Sequence, residues 1–367
     1  MGWGSNIQNA RLARAAEMAL KDGKYPAALE YAQRAAQGAP NDPQLWFLLG
    51  YCARLAGKTQ LSIDSYNHGL GLNPSSLDGK SGLAQAYGRA GRFDEAKSIL
   101  NQVLAADPKR TSDLVIMGEL LMQAGQYQEA LSDLRRAEQG QPAARRELLI
   151  AMCYRHLNQP DQALHYLDLA KQRAPNDPEV KRSLAGYYRD TGNYPAAIEA
   201  LKSIAGRSPT IKAELAYTYQ LSGQKDEAAK LYTQAANAAP KNLALQLSAS
   251  QAQMTVGRLE LAEKYVDRAA AVEPENYRVH AIRGQMARLR ENLPDAAREY
   301  SAALDRLPQA PAEGPRYSIQ LHMNLMEIYK SLHDDAASHH QLEIAQSAIS
   351  SMNERDVPGR NSCACAH

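Results

Sequence analysis

The five residues APNDP at 39–43, in the stretch AAQGAPNDPQLW at 36–47, return unchanged at 174–178 within KQRAPNDPEVK. In each copy the aspartate, Asp42 or Asp177, is placed to cap a following helix. The next proline, Pro43 or Pro178, is suited to that helix's first turn, where no amide donor is needed. Two identical joints 135 residues apart imply a period, and a period predicts evenly spaced prolines between and beyond them.

Those prolines are Pro40, Pro74, Pro108, Pro142, Pro175, Pro209, Pro240, Pro274 and Pro308, at intervals of 34, 34, 34, 33, 34, 31, 34 and 34. The two APNDP copies are therefore one joint seen four repeats apart. About 17 residues before each proline stands a glycine, Gly23, Gly57, Gly91, Gly125, Gly192, Gly223 or Gly257, with Asn158 and Glu291 at the two exceptions. Glycine ends a helix cheaply in the left-handed conformation and asparagine is next best, so Glu291 breaks the rule.

Five residues after that position comes a small residue, as at Ala28, Ser62, Ala96, Ala130 and Ala262. Seven before it comes another, as at Ala16, Gly50, Ala84, Gly118 and Ser250. Small side chains let two antiparallel helices approach, with an apolar residue such as Leu100, Leu134, Leu167, Leu201 or Tyr232 filling the seam. Each unit reads as a helical hairpin, and Pro26, Pro160, Pro195 and Pro294 start second helices.

The pattern resembles the tetratricopeptide repeat family, whose period is 34 with conserved-type places W-x-x-L-G-x-x-Y, A and P. Trp46, Leu49 and Gly50 carry it in the second unit, and Ala84, Tyr87, Gly91, Phe93, Ala96 and Pro108 in the third. The resemblance implies an all-α fold, a right-handed superhelical solenoid of antiparallel helix hairpins. We place an N-terminal segment at 1–8, nine hairpins at 9–310, a degenerate tenth at 311–352 and a C-terminal tail at 353–367. In the tenth, Met326, Tyr329, Leu342 and Ala345 hold the diagnostic places, and QAPAEGPR at 309–316 inserts a loop before it.

This architecture argues against an enzyme. Solenoid repeats touch only their neighbours, so distant residues do not converge on a reaction centre, and no remaining stretch is long enough for a separate catalytic domain. Gly79-Lys80-Ser81 imitates the end of a phosphate loop, but Pro74 stands where its first glycine belongs and no strand precedes it. No cofactor motif is complete. His333, His339 and His340 lack the i, i+4 spacing of paired metal ligands. Cys363 and Cys365 in the tail leave three readings open: free thiols, a disulfide, or a metal pair with His367. Cys52 and Cys153 fit as small core residues.

With 42 basic and 40 acidic residues the charge is too balanced for a nucleic-acid binder. No apolar run reaches membrane-spanning length, and the start lacks the pattern of an export signal. The family likeness implies a groove lined by the first helix of each hairpin, which receives a partner peptide or helix. Carried over, its groove places are Phe47, Tyr51, Arg54, Arg145, Met152, Arg155, His156, Arg182, Arg189, Tyr217, Arg278 and Arg288. The arginines among them suit an acidic peptide. The family's two-carboxylate clamp is not reproduced, since Glu17 and Tyr51 stand where asparagine is expected.

A second expectation concerns the ends. The last helix shows Ile344, Ala348, Ile349 and Met352, and the first is faced by Ala13, Ala16 and other alanines. Copies of the chain stacking end to end, with Cys363 and Cys365 crossing into a neighbour, would build an open filament, which would suit an extracellular or periplasmic location.

Overall fold

In a computed structural model of the protein, residues 3–308 and 314–355 are described. Among them every regular element is helical. The first hairpins are α1 (Trp3–Lys21) with α2 (Tyr25–Gly38), α3 (Pro43–Leu55) with α4 (Thr59–Leu72), and α5 (Leu77–Arg89) with α6 (Phe93–Ala106). Next come α7 (Thr111–Gln123), α8 (Tyr127–Arg136), α9 (Ala144–His156), α10 (Pro160–Arg173), α11 (Pro178–Asp190) and α12 (Tyr194–Lys202). The remainder are α13 (Pro209–Leu221), α14 (Lys225–Ala238), α15 (Leu243–Thr255), α16 (Leu259–Val272), α17 (Tyr277–Leu289), α18 (Leu293–Asp305), α19 (Pro315–Ser331) and α20 (Asp335–Arg355). Helices pack on their hairpin partners, as α3 on α4 and α17 on α18. Second helices pack on the next first helix, as α4 on α5 and α16 on α17. Contacts divide the chain into two compact units, Met1–Tyr187 and Tyr188–His367.

The joints are set by local chemistry. Asp42 accepts from the Gln44 amide at 2.9 Å and Asp177 from the Glu179 amide at 2.7 Å, as the PNDP motif requires. Ser76, Ser208, Asn242 and Asn276 cap α5, α13, α15 and α17 in the same way. Each such cap contributes about 1 kcal/mol.

Inside each hairpin the chain turns through one left-handed residue, and the following amide donates back across the helix end. Gln159 to Tyr154 O, Asn292 to Ala287 O and Asp334 to Tyr329 O are all 2.9 Å. The glycines take this place with φ near 75°, and so do Asn158 (φ 56), Glu291 (φ 60) and His333 (φ 59). Glu291 is thus no exception to the geometry; the surrounding hairpin holds it in a strained conformation. His333 is the turn residue of the last hairpin.

The small residues do what their size permits. The ring of Tyr66 lies over Gly50 and Gly82, where an added Cβ would come within 2.8 Å and 2.2 Å of it. Leu134 covers Gly118 and Tyr300 covers Gly284 in the same register. Where serine replaces the small residue, its hydroxyl donates across the hairpin: Ser62 to Gly50 O at 2.7 Å, Ser250 to Ala262 O at 2.8 Å and Ser338 to Met326 O at 3.1 Å.

Two hairpins are short. α8 and α12 end early in single 3₁₀ turns, Ala137–Gln139 and Ala205–Arg207. Buried Arg146 of α9 donates to Ala137 O at 2.8 Å and Gln141 O at 3.1 Å, satisfying carbonyls at the first of these turns. At the second, Pro209 opens α13 itself, so it corresponds to Pro43 and Pro178 and not, as the proline register implied, to Pro40 and Pro175.

Two substitutions separate conformational strain from packing. Glu291→Gly is expected to raise stability by about 1 kcal/mol, since a left-handed non-glycine residue costs that much, measured as a higher thermal midpoint. Gly82→Ala should gain about 1 kcal/mol of helix propensity yet lose stability by about 1–3 kcal/mol because the Tyr66 ring must move, seen as a lower denaturant midpoint.

Candidate functional site

Each unit carries a groove along its first helices. In the first unit a cavity of about 610 Å³ is lined from α3, α5, α7 and α9, with Arg54, Arg89, Arg145 and Arg146 against one carboxylate, Glu119. Its floor is Val115, Ile116 and Leu120. In the second unit a cavity also of about 610 Å³ is lined mainly from α15, α17 and α19, with Arg278, Arg288, Gln251, Gln285, Gln320 and Asn324 and no carboxylate.

The arginines are positioned from the core outward. Tyr66, wedged over two glycines, brings its hydroxyl near the Arg54 guanidinium, which also lies 5.1 Å from the Tyr51 ring centroid. Burial pushes Tyr66 up to about 12, with Arg54 opposing the shift. Arg89 donates to Arg54 O at 3.2 Å, and Arg145 is paired with Glu119 at 2.8 Å. In the second unit Arg278 lies over the Tyr277 ring at 5.6 Å, and Tyr277 meets Tyr317 edge-on at 5.8 Å. Arg288 reaches Glu327 at 3.2 Å.

Other sequence-derived groove places fall as follows. Tyr51 and Tyr217 are 41% and 45% exposed, and Arg189 stacks on Tyr217 at 5.5 Å. Arg155 approaches Gly186, whose missing side chain leaves it room, while Arg182 is exposed on α11. His156 stacks face to face on Tyr127 of α8 at 4.0 Å.

Two expected places need correction. Phe47 is not a groove residue: its ring lies about 2.5 Å from where side chains on Gly69 or Gly79 would begin, so those glycines draw it into the seam between hairpins. Ala16 is not available to an incoming helix, because it is wholly buried in the core that α1 makes with α2 and α3. Ala13 packs half-buried on that same core. At the other end Ile344, Ala348 and Met352 are half-buried on α20 and Ile349 is 42% exposed. Cys363 and Cys365 lie outside the described residues. Arg89, Val115 and Ile116 were not singled out from sequence. They stand at first-helix positions, and position alone does not distinguish groove from flank.

Models of the tetratricopeptide repeat match residues 13–76, 53–114, 121–187, 213–246 and 247–311. The chain belongs to the tetratricopeptide repeat family. This tetratricopeptide repeat protein is 25% identical over 223 residues to cellulose synthase operon protein C of Xanthomonas axonopodis pv. citri, a match that takes in 57% of this chain. It spans only 15% of that relative's length. Among solved structures it resembles a tetratricopeptide repeat protein from Parabacteroides merdae, with TM-score 0.53 and 18% identity over 67% of this chain and 99% of the other. It also resembles the human IFIT1 dimer with m7Gppp-AAAA, with TM-score 0.52 and 15% identity over 92% of this chain and 89% of that one. Both likenesses concern the fold. No described helix is long and apolar enough to cross a membrane.

Burial also pushes Cys52 and Cys153 up to about 11 and Tyr232 up to about 12. These three groups and Tyr66 are neutral in both states well below about pH 8.5, where an unfolded cysteine begins to ionise. Above it the unfolded chain releases protons that the folded chain retains, so stability is lost as pH rises through about 11 and about 12. Thermal midpoints should therefore fall on the alkaline side, and Cys52→Ala should shallow the first part of that fall.

Proposed function

We propose that this tetratricopeptide repeat protein is a non-catalytic interaction scaffold that receives an acidic segment of another protein along its first helices. The observation that carries this reading is the charge of the two grooves: guanidinium groups outnumber carboxylates in both, although the whole chain is nearly balanced. Arginine's planar donors suit carboxylates, and polar amides beside them suit a partner's main chain. The two described cysteines offer no nucleophile, since burial keeps them protonated. The end-to-end alternative loses Ala16 from its accepting surface, which favours the scaffold.

Affinity capture followed by cross-linking tests the assignment. Charge reversal by Arg145→Glu in the first unit and Arg288→Glu in the second should each weaken partner capture, by about tenfold where the lost contact is charge-assisted. Binding should also weaken as salt is raised. Cross-links confined to second helices, with capture unchanged in both variants, would remove the groove from the account.

A further inference from the structure

Of the three arginines in the first unit's groove that no lining carboxylate neutralises, Arg146 is buried and donates to Ala137 O and Gln141 O, while Arg54 is half-buried and Arg89 exposed. Arg54 lies over the Tyr51 ring with the Tyr66 hydroxyl nearby, and its Nε is buried with no hydrogen-bond partner. Arg89, on the neighbouring first helix, is held by the main-chain carbonyl of Arg54. All these partners are neutral. The groove's one carboxylate, Glu119, is taken by Arg145 at 2.8 Å. Two like charges lining one groove against a carbon wall repel more strongly than they would in open water. A ligand carboxylate placed between them relieves that repulsion and gains charge-assisted hydrogen bonds.

The wall beside them is apolar. Val115 and Ile116 are half-buried and Leu120 nearly fully buried. Leu120 closes onto α5 because residue 88 is glycine: a Cβ there would lie 2.6 Å from Leu120 Cδ2. Gln85 and Gln123 line the same groove. An aliphatic side chain next to a carboxylate would meet this floor, with the amides left for the main chain.

Resting on the scaffold reading above, we infer that the first unit's groove binds an internal acidic-aliphatic step of a partner protein. The Asp or Glu side chain sits between Arg54 and Arg89, and the adjacent aliphatic side chain lies on Val115, Ile116 and Leu120. An internal segment fits better than a chain terminus because the lining runs across four successive first helices, with the arginine pair on α3 and α5 and the Arg145–Glu119 pair on α7 and α9. A chain seated at the arginine pair can therefore continue over α7 and α9.

Short fluorescent peptides carrying a Glu-Leu, Gln-Leu or Glu-Ser step in an otherwise neutral sequence, titrated against the full chain by anisotropy, test this. The Glu-Leu peptide should bind about tenfold tighter than Gln-Leu. Arg89 is exposed, and Arg89→Gln should abolish that preference. Ile116→Ser should abolish the preference for Glu-Leu over Glu-Ser. A glutamate preference that survives Arg89→Gln overturns the inference. If the preference is instead lost in Arg288→Gln, the scaffold reading stands and this site falls. If none of the peptides binds, the inference falls while partner capture still decides the broader reading.

Discussion

Each hairpin closes only if a bulky side chain on its second helix finds a gap on its first. Tyr66 over Gly50, Leu134 over Gly118 and Tyr300 over Gly284 are three instances of that fit. A fully buried side chain of this size contributes about 1.5–3 kcal/mol, more than any single exposed ion pair in the molecule contributes. The left-handed turn exists to bring those two positions opposite one another. That demand outranks residue preference, which is why Glu291 and His333 accept a backbone conformation that suits glycine.

The grooves follow from the same packing. Tyr66 is a seam residue first; its hydroxyl, at the far end of a ring anchored between two helices, then lies near Arg54. Gly88 admits Leu120, and Leu120 completes the apolar floor. The lining of the first unit's groove is therefore built from core positions outward, so a substitution in the seam reaches that lining without touching it.

Much of this was legible in the chain itself. Prolines, turn glycines and small seam residues are dictated by backbone geometry repeated every 34 residues or so, and such requirements leave their mark at fixed spacing. What escaped depends on context. Pro209 has the right distance from Pro175 but starts a helix, because three residues are missing just before it. His333 stands 42 residues after Glu291, beyond the register that would have identified it, because of the inserted loop. Phe47 occupies a groove register, yet two glycines on neighbouring helices make a better home for its ring. Arg89 differs from other exposed arginines only through the carbonyl and the neighbours that hold it, and these cannot be counted along a sequence.

The way Tyr66, Tyr51 and the Arg54 carbonyl lie against the two guanidinium groups has a thermodynamic corollary. A long, rotamer-rich side chain normally surrenders about 0.5–1.5 kcal/mol of freedom when a ligand immobilises it. Here part of that freedom is already given up in the unliganded fold, so a ligand that immobilised these side chains would lose less entropy in doing so.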